Sequence, residues 1–166
     1  MHKIGEKVVY GSSGVMEILD VREESVLGKP RQYYVLRESR TNSSSMTYVP
    51  VDNEELVAAM RPLLTKDEII EIIREAKSLP EKEWIEDNRA RSLKFKRIIS
   101  SGDRTELIAM INSIYSTGKR RGMEGKRNYL SDETAMKKAE KLIYSEFSEV
   151  LGISEEEIPE FIAKLE

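Results

Sequence analysis

Arg89, Arg91, Lys94, Lys96 and Arg97 fall within nine residues of each other, and Lys119, Arg120, Arg121, Lys126 and Arg127 crowd a second stretch. Guanidinium and ammonium groups at this density can neutralise the phosphates of a nucleic acid and release its counterions. The glycines of "GKRRGMEGKR" let the backbone approach a ligand closely where the cations are densest. A solvated helix face, with cations near a helix C-terminus where the dipole favours them, accounts for the same pattern. The residues leave both readings open. Trp84, the single tryptophan, sits just before the first cluster in "EKEWIEDNRARSLKFKR". An indole carries a large apolar surface and normally goes inside or into a partner. At 100° per residue Trp84 aligns with Phe95 and Ile98, as a core residue would, but the polar Asn88 and Arg91 interrupt that stripe. That interruption would leave the indole at the edge of its module, beside the basic surface, but on the residues alone packing in the core remains the leading reading.

Other chemistry is poorly represented. His2 is the only histidine and lies at a terminus expected to fray, so no triad, histidine relay or histidine metal cluster can be assembled. Cysteine is absent, which removes disulfides, thiolate metal sites and a cysteine nucleophile, and fits a reducing compartment. "GSSG" lacks the spacing of a phosphate loop and reads as a hairpin turn between strands. The carboxylates stand mostly where helix caps or solvated faces want them. These observations point to a non-enzymatic protein without metal or cofactor. No signal peptide is read at "MHKIGEKVVYG", and no apolar run approaches the ~20 residues of a membrane span, so a cytoplasmic location is expected.

The elements that must position these residues fall into two halves. The chain has 166 residues, 39% hydrophobic and 34% charged, with a net charge of −3. That net value hides an asymmetry. Residues 77–144 hold 16 Lys/Arg against 10 Asp/Glu, whereas residues 145–166 hold 1 against 7. In the first half "EKVVY", "VMEILDV", "RQYYVLRE" and "MTYVPV" read as short strands separated by "GSSG", "LGKP" and the polar "SRTNSSS". Their spacing predicts a small antiparallel β-barrel over residues 1–62, with Pro50 at a strand edge or end. "VAAMRPLL" fits either a fifth strand or a helical turn. From residue 65 the period becomes helical, with the boundary between the halves near residues 61–65. Thr65 and Glu68 form a capping box, Pro80 breaks the first helix, and a second is predicted from Glu83 to Ser100, stopping at Gly102. Asp103 with Glu106 caps a third helix, and the loop "GMEGKRNYLS" leads to a fourth opened by Ser131 and ended near Gly152. Ser154 and Glu157 cap a short last one. The predicted architecture is α+β in series, a small antiparallel β-barrel followed by an all-helical module over residues 63–166.

The stretches "IGEKVVYGSSGVMEI", "YVPV" and "MRPLL", followed by the tryptophan, the basic helix, "SGD" and "LSDE", resemble the CarD/CdnL family of bacterial transcription regulators. The barrel portion is shared with transcription-repair coupling factors. The resemblance implies a Tudor/SH3-like barrel that binds the RNA polymerase β subunit, with Arg22, Glu24, Val26, Tyr48, Val49 and Pro50 in the corresponding contact region. It also implies a helical module on promoter DNA, with Trp84 wedged in the minor groove at the upstream edge of the bubble. Arg89, Arg91, Lys94, Lys119, Arg120, Arg121, Lys126 and Arg127 would then face phosphates and stabilise the open complex. Two departures from the family pattern stand out. "IEDN" separates Trp84 from the first arginine, and Glu24 and Tyr48 stand where some members carry arginines. A protein-only polymerase adaptor that does not touch DNA is the alternative reading.

Overall fold

The structure, a computed structural model, describes residues 1–39 and 44–166. Most of the expected "SRTNSSS" loop, residues 40–43, therefore lies outside the described residues. The chain divides into two compact units, Met1–Leu63 and Leu64–Glu166.

The first unit is a five-stranded antiparallel sheet. Its strands are β1 (Lys7–Tyr10), β2 (Val15–Val26), β3 (Lys29–Glu38), β4 (Met46–Pro50) and β5 (Met60–Pro62), with a short helix α1 (Glu54–Ala58) between the last two. "VAAMRPLL" thus contributes to both structures between which the sequence left the choice. "GSSG" makes the expected turn, a single 3-10 turn between paired strands, with Gly11 and Gly14 at φ 51° and 84°. β2 and β3 are longer than predicted. "LGKP" does not break the ladder, because Leu27 and Gly28 turn the chain in two residues at φ 53° and 76° and pairing resumes at Val26 and Lys29.

The sheet order β4-β3-β2-β1-β5 puts β4 and β5 on opposite edges. No ladder joins them among the described residues, so the predicted closed barrel is here an open sheet. β5 is only three residues long, and α1 lies against both edge strands in place of a ladder. Val8, Met16, Ile18, Tyr34, Leu36, Val49 and Met60 form the core on one face. His2 is anchored, contrary to the expected fraying. Its Nδ1 lies 3.0 Å from Glu6 Oε1, and its ring meets Tyr34 edge-on at 5.6 Å. The Lys3 N–H, donating to Glu6, and His2 together hold that carboxyl below its ordinary pKa.

The second unit is helical: α2 (Lys66–Ser78), α3 (Asn88–Ser101), α4 (Arg104–Met123), α5 (Leu130–Leu151) and α6 (Ile158–Lys164). The capping box at Thr65 and Glu68 is present, as is that of Ser154 and Glu157, and Gly102 and Gly152 end their helices in the left-handed region. Apolar positions three and four apart bury one stripe of each helix, with Ile69, Ile73, Phe95, Ile99, Leu107, Ile114, Ile143, Phe147 and Ile158 at the centre. Two helix starts differ from expectation. α3 begins at Asn88 and not at Glu83, because Asp87 accepts a hydrogen bond from the Ala90 N–H and serves as N-cap. The inserted "IEDN" is therefore a capped helix start, and residues 80–87, Trp84 included, have no regular structure. α5 begins one residue before Ser131, whose hydroxyl instead pairs with Asn88 Oδ1 at 3.0 Å.

Candidate functional site

In the first unit the ladder decides which side chains share a face. Val49 is opposite Tyr34, and both are buried in the core. Alternation then turns Tyr48 outward, where it is 45% exposed and meets Tyr33 edge-on at 6.2 Å. Arg22 is opposite Tyr33, so Arg22, Glu24 and Val26 project from the same outward face. Arg22 lies 3.1 Å from Asp20 and 3.9 Å from Glu24, pairs exposed enough to exchange for a partner at little cost. Of the six residues proposed from sequence, five thus share one face or its rim, whereas the Val49 side chain does not reach it. Val49 is fully buried because a strand with one face on the core must point every second residue inward. Its main chain, like that of Pro50, still lies on β4, whose outer edge has no strand partner among the described residues. Sequence reasoning missed Tyr33 and Arg31, whose guanidinium lies 6.0 Å from the Tyr33 ring. The adjacent pair Tyr33-Tyr34 was the available signal, since in a strand only one of two neighbours can face the core.

In the second unit Trp84 lies half-buried at the margin of the helical core, edge-on to Phe95 at 6.1 Å. It lines a groove of about 320 Å³ together with Leu79, Pro80, Lys94, Phe95 and Met110. Trp84 reaches Phe95 from an irregular segment and not from the helical register the sequence implied.

Arg91 corrects the expected set of phosphate-facing cations. It is 1% exposed, and Asp132 at the start of α5 pairs with it in a fork, Nε to Oδ1 at 2.8 Å and Nη2 to Oδ2 at 2.9 Å. Nη1 donates to the carbonyls of Ile85 at 2.8 Å and Glu86 at 3.2 Å, and Nη2 also donates to Asn88 Oδ1 at 2.9 Å. All five N–H donors of the guanidinium are accounted for. A fully partnered, buried arginine does not present its charge to a phosphate.

The remaining cations divide by position. Arg89, Lys119, Arg120, Lys126 and Arg127 are exposed, and Lys94 is half-buried on the groove. Lys126 lies 3.3 Å from Glu124. Lys119 and Arg120 line a second depression with Tyr115, Ser116 and Met123. Arg121 donates twice to the Arg127 carbonyl, at 3.2 and 3.0 Å, and lies 4.8 Å from the Tyr129 ring, so it also holds the loop after α4. Arg91 approaches the same ring at 5.2 Å. Tyr129 is therefore where the two basic segments meet, a residue that sequence reasoning passed over.

The chain thus joins an open antiparallel sheet in series to a helical unit with exposed cations. Residues 2–64 match the CarD-like/TRCF RID domain. The first unit belongs to that domain family, whose members interact with RNA polymerase and are not catalytic. No curated protein matches the chain significantly. Among the described residues, no group of three His, Cys, Asp or Glu side chains could hold a metal ion, and no helix is long and apolar enough to cross a membrane.

Proposed function

We propose that the protein regulates transcription initiation. The first unit binds the RNA polymerase β subunit, and the second holds promoter DNA at the upstream edge of the melted region and prolongs the open complex. The match of residues 2–64 to the RID domain carries this reading. The half-buried indole, with Lys94 on the same groove, supports the DNA part, because it offers an apolar edge for an unstacked base step next to a cation for phosphate. Wedging into a step costs a few kcal/mol of DNA deformation, which polymerase-tethered interactions offset by raising the local concentration.

Retention of core polymerase on the immobilised protein tests the first part, and failure to retain the β subunit removes the reading. Open-complex half-life measured beside thermal denaturation tests the second. Trp84→Ala is expected to cost about 2 kcal/mol of stability, below the ~3–5 of a fully buried aromatic, and to shorten the half-life several-fold at temperatures where the variant is fully folded. An unchanged half-life would favour the protein-only adaptor.

The surviving cations yield a separate prediction. Reversing Lys119, Arg120 and Arg127 to glutamate, and sparing Arg121 because it anchors the loop, should weaken DNA association alike on unrelated sequences. The slope of log affinity against log salt should flatten by about one unit for each phosphate no longer neutralised, as read by fluorescence anisotropy. A weakening confined to one promoter sequence would contradict phosphate recognition.

A further inference from the structure

We infer that Arg91, clamped by Asp132, is the positioning residue for Trp84, an assignment that rests on the proposed role of the indole in DNA binding. Residues 80–87 have no ladder or helix to order them, so their geometry must come from elsewhere. Arg91 supplies it. Its Nη1 takes up the carbonyls of the two residues that follow Trp84, and its guanidinium lies 4.7 Å from the indole centroid. Phe95, one turn further along α3, bounds the ring on another side. Asp132, in the first turn of α5 where the helix dipole favours a negative charge, fixes the guanidinium in turn.

A buried ion pair is a poor way to gain stability, since well-packed apolar residues of similar volume often do as well. Its value lies in geometry. A planar fork with every donor occupied permits one arrangement, which an apolar neighbour or a lysine does not specify. Because Tyr129 lies against both Arg91 and Arg121, the same hub sets the indole relative to the cationic loop after α4.

The test uses the full-length chain and the variants Arg91→Lys, Asp132→Asn, Trp84→Ala and the double variant Arg91→Lys/Trp84→Ala. All are measured where circular dichroism shows them folded, and Asp132→Asn, the milder change, stands in if Arg91→Lys does not fold. Trp84 is the only tryptophan, so its emission reports on the site directly. Arg91→Lys and Asp132→Asn are expected to shift the emission to the red and to raise acrylamide quenching about twofold. Arg91→Lys should shorten the open-complex half-life as far as Trp84→Ala does, and the double variant should be no worse than Trp84→Ala alone. Additive effects, or an emission that does not change, would overturn the assignment. If Trp84→Ala leaves the half-life untouched, the DNA reading fails by itself, and the emission and quenching then decide whether Arg91 positions the ring.

Discussion

Tyr48→Glu is expected to reduce polymerase binding at least tenfold while the protein remains folded. β4 is an edge strand, paired with β3 from Tyr33–Pro50 to Arg37–Met46 and with no strand on its other side among the described residues. Such an edge offers unpaired main-chain groups to a partner strand, and the outward side chains beside it set the fit. Tyr48 stands at the centre of that strand, exposed, with Tyr33 against it and Arg22 across the ladder on the same face. A carboxylate there must be desolvated without a partner if the face is covered, and about 1.4 kcal/mol already corresponds to tenfold. In the isolated protein the change removes only an edge-on aromatic pair, worth about 1 kcal/mol. Affinity for core polymerase, measured by interferometry beside a thermal melt, checks both statements. Unchanged affinity would move the binding surface elsewhere on the unit.

Arg104→Met is expected to destabilise the helical unit by about 3–5 kcal/mol. Glu146 lies inside α5 with its side chain 2% exposed, and Arg104 at the start of α4 grips it through two hydrogen bonds of 2.9 Å. The Leu64 N–H donates to the same carboxylate at 3.1 Å. Removing the arginine leaves a buried charge that this amide cannot satisfy, and the cost is a large share of the ~5–15 kcal/mol that holds a typical domain. For a unit of this size the melting temperature should fall by about 15 °C or more, read by circular dichroism. Replacing both partners, Arg104→Met with Glu146→Leu, should restore most of the stability, because the stranded charge is then gone. A double variant as unstable as the single one would show that the cost lies in packing.

Local rules were sufficient for what local forces decide. The capping boxes at Thr65 and Ser154 and the glycine stops at Gly102 and Gly152 were legible because each is settled within four or five residues. The change of period between the halves was legible for the same reason. The resemblance of the first residues to a known domain was likewise carried by short ordered motifs and agrees with the match over residues 2–64. Three things were not legible. Strand spacing alone gave no means to tell an open sheet from a barrel, since closure depends on whether β4 and β5 meet across α1. The start of α3 was misplaced because Glu83 to Asp87 have adequate helix propensity, and only the hydrogen bond from Ala90 to Asp87 shows which residue caps. Arg91 looked like its neighbours Arg89 and Lys94, as charge and spacing are blind to burial. Its carboxylate partner lies 41 positions away, and only the packing of α3 against α5 brings Asp132 to it. That long-range pairing converts one member of a basic run from a surface charge into the internal support of an indole.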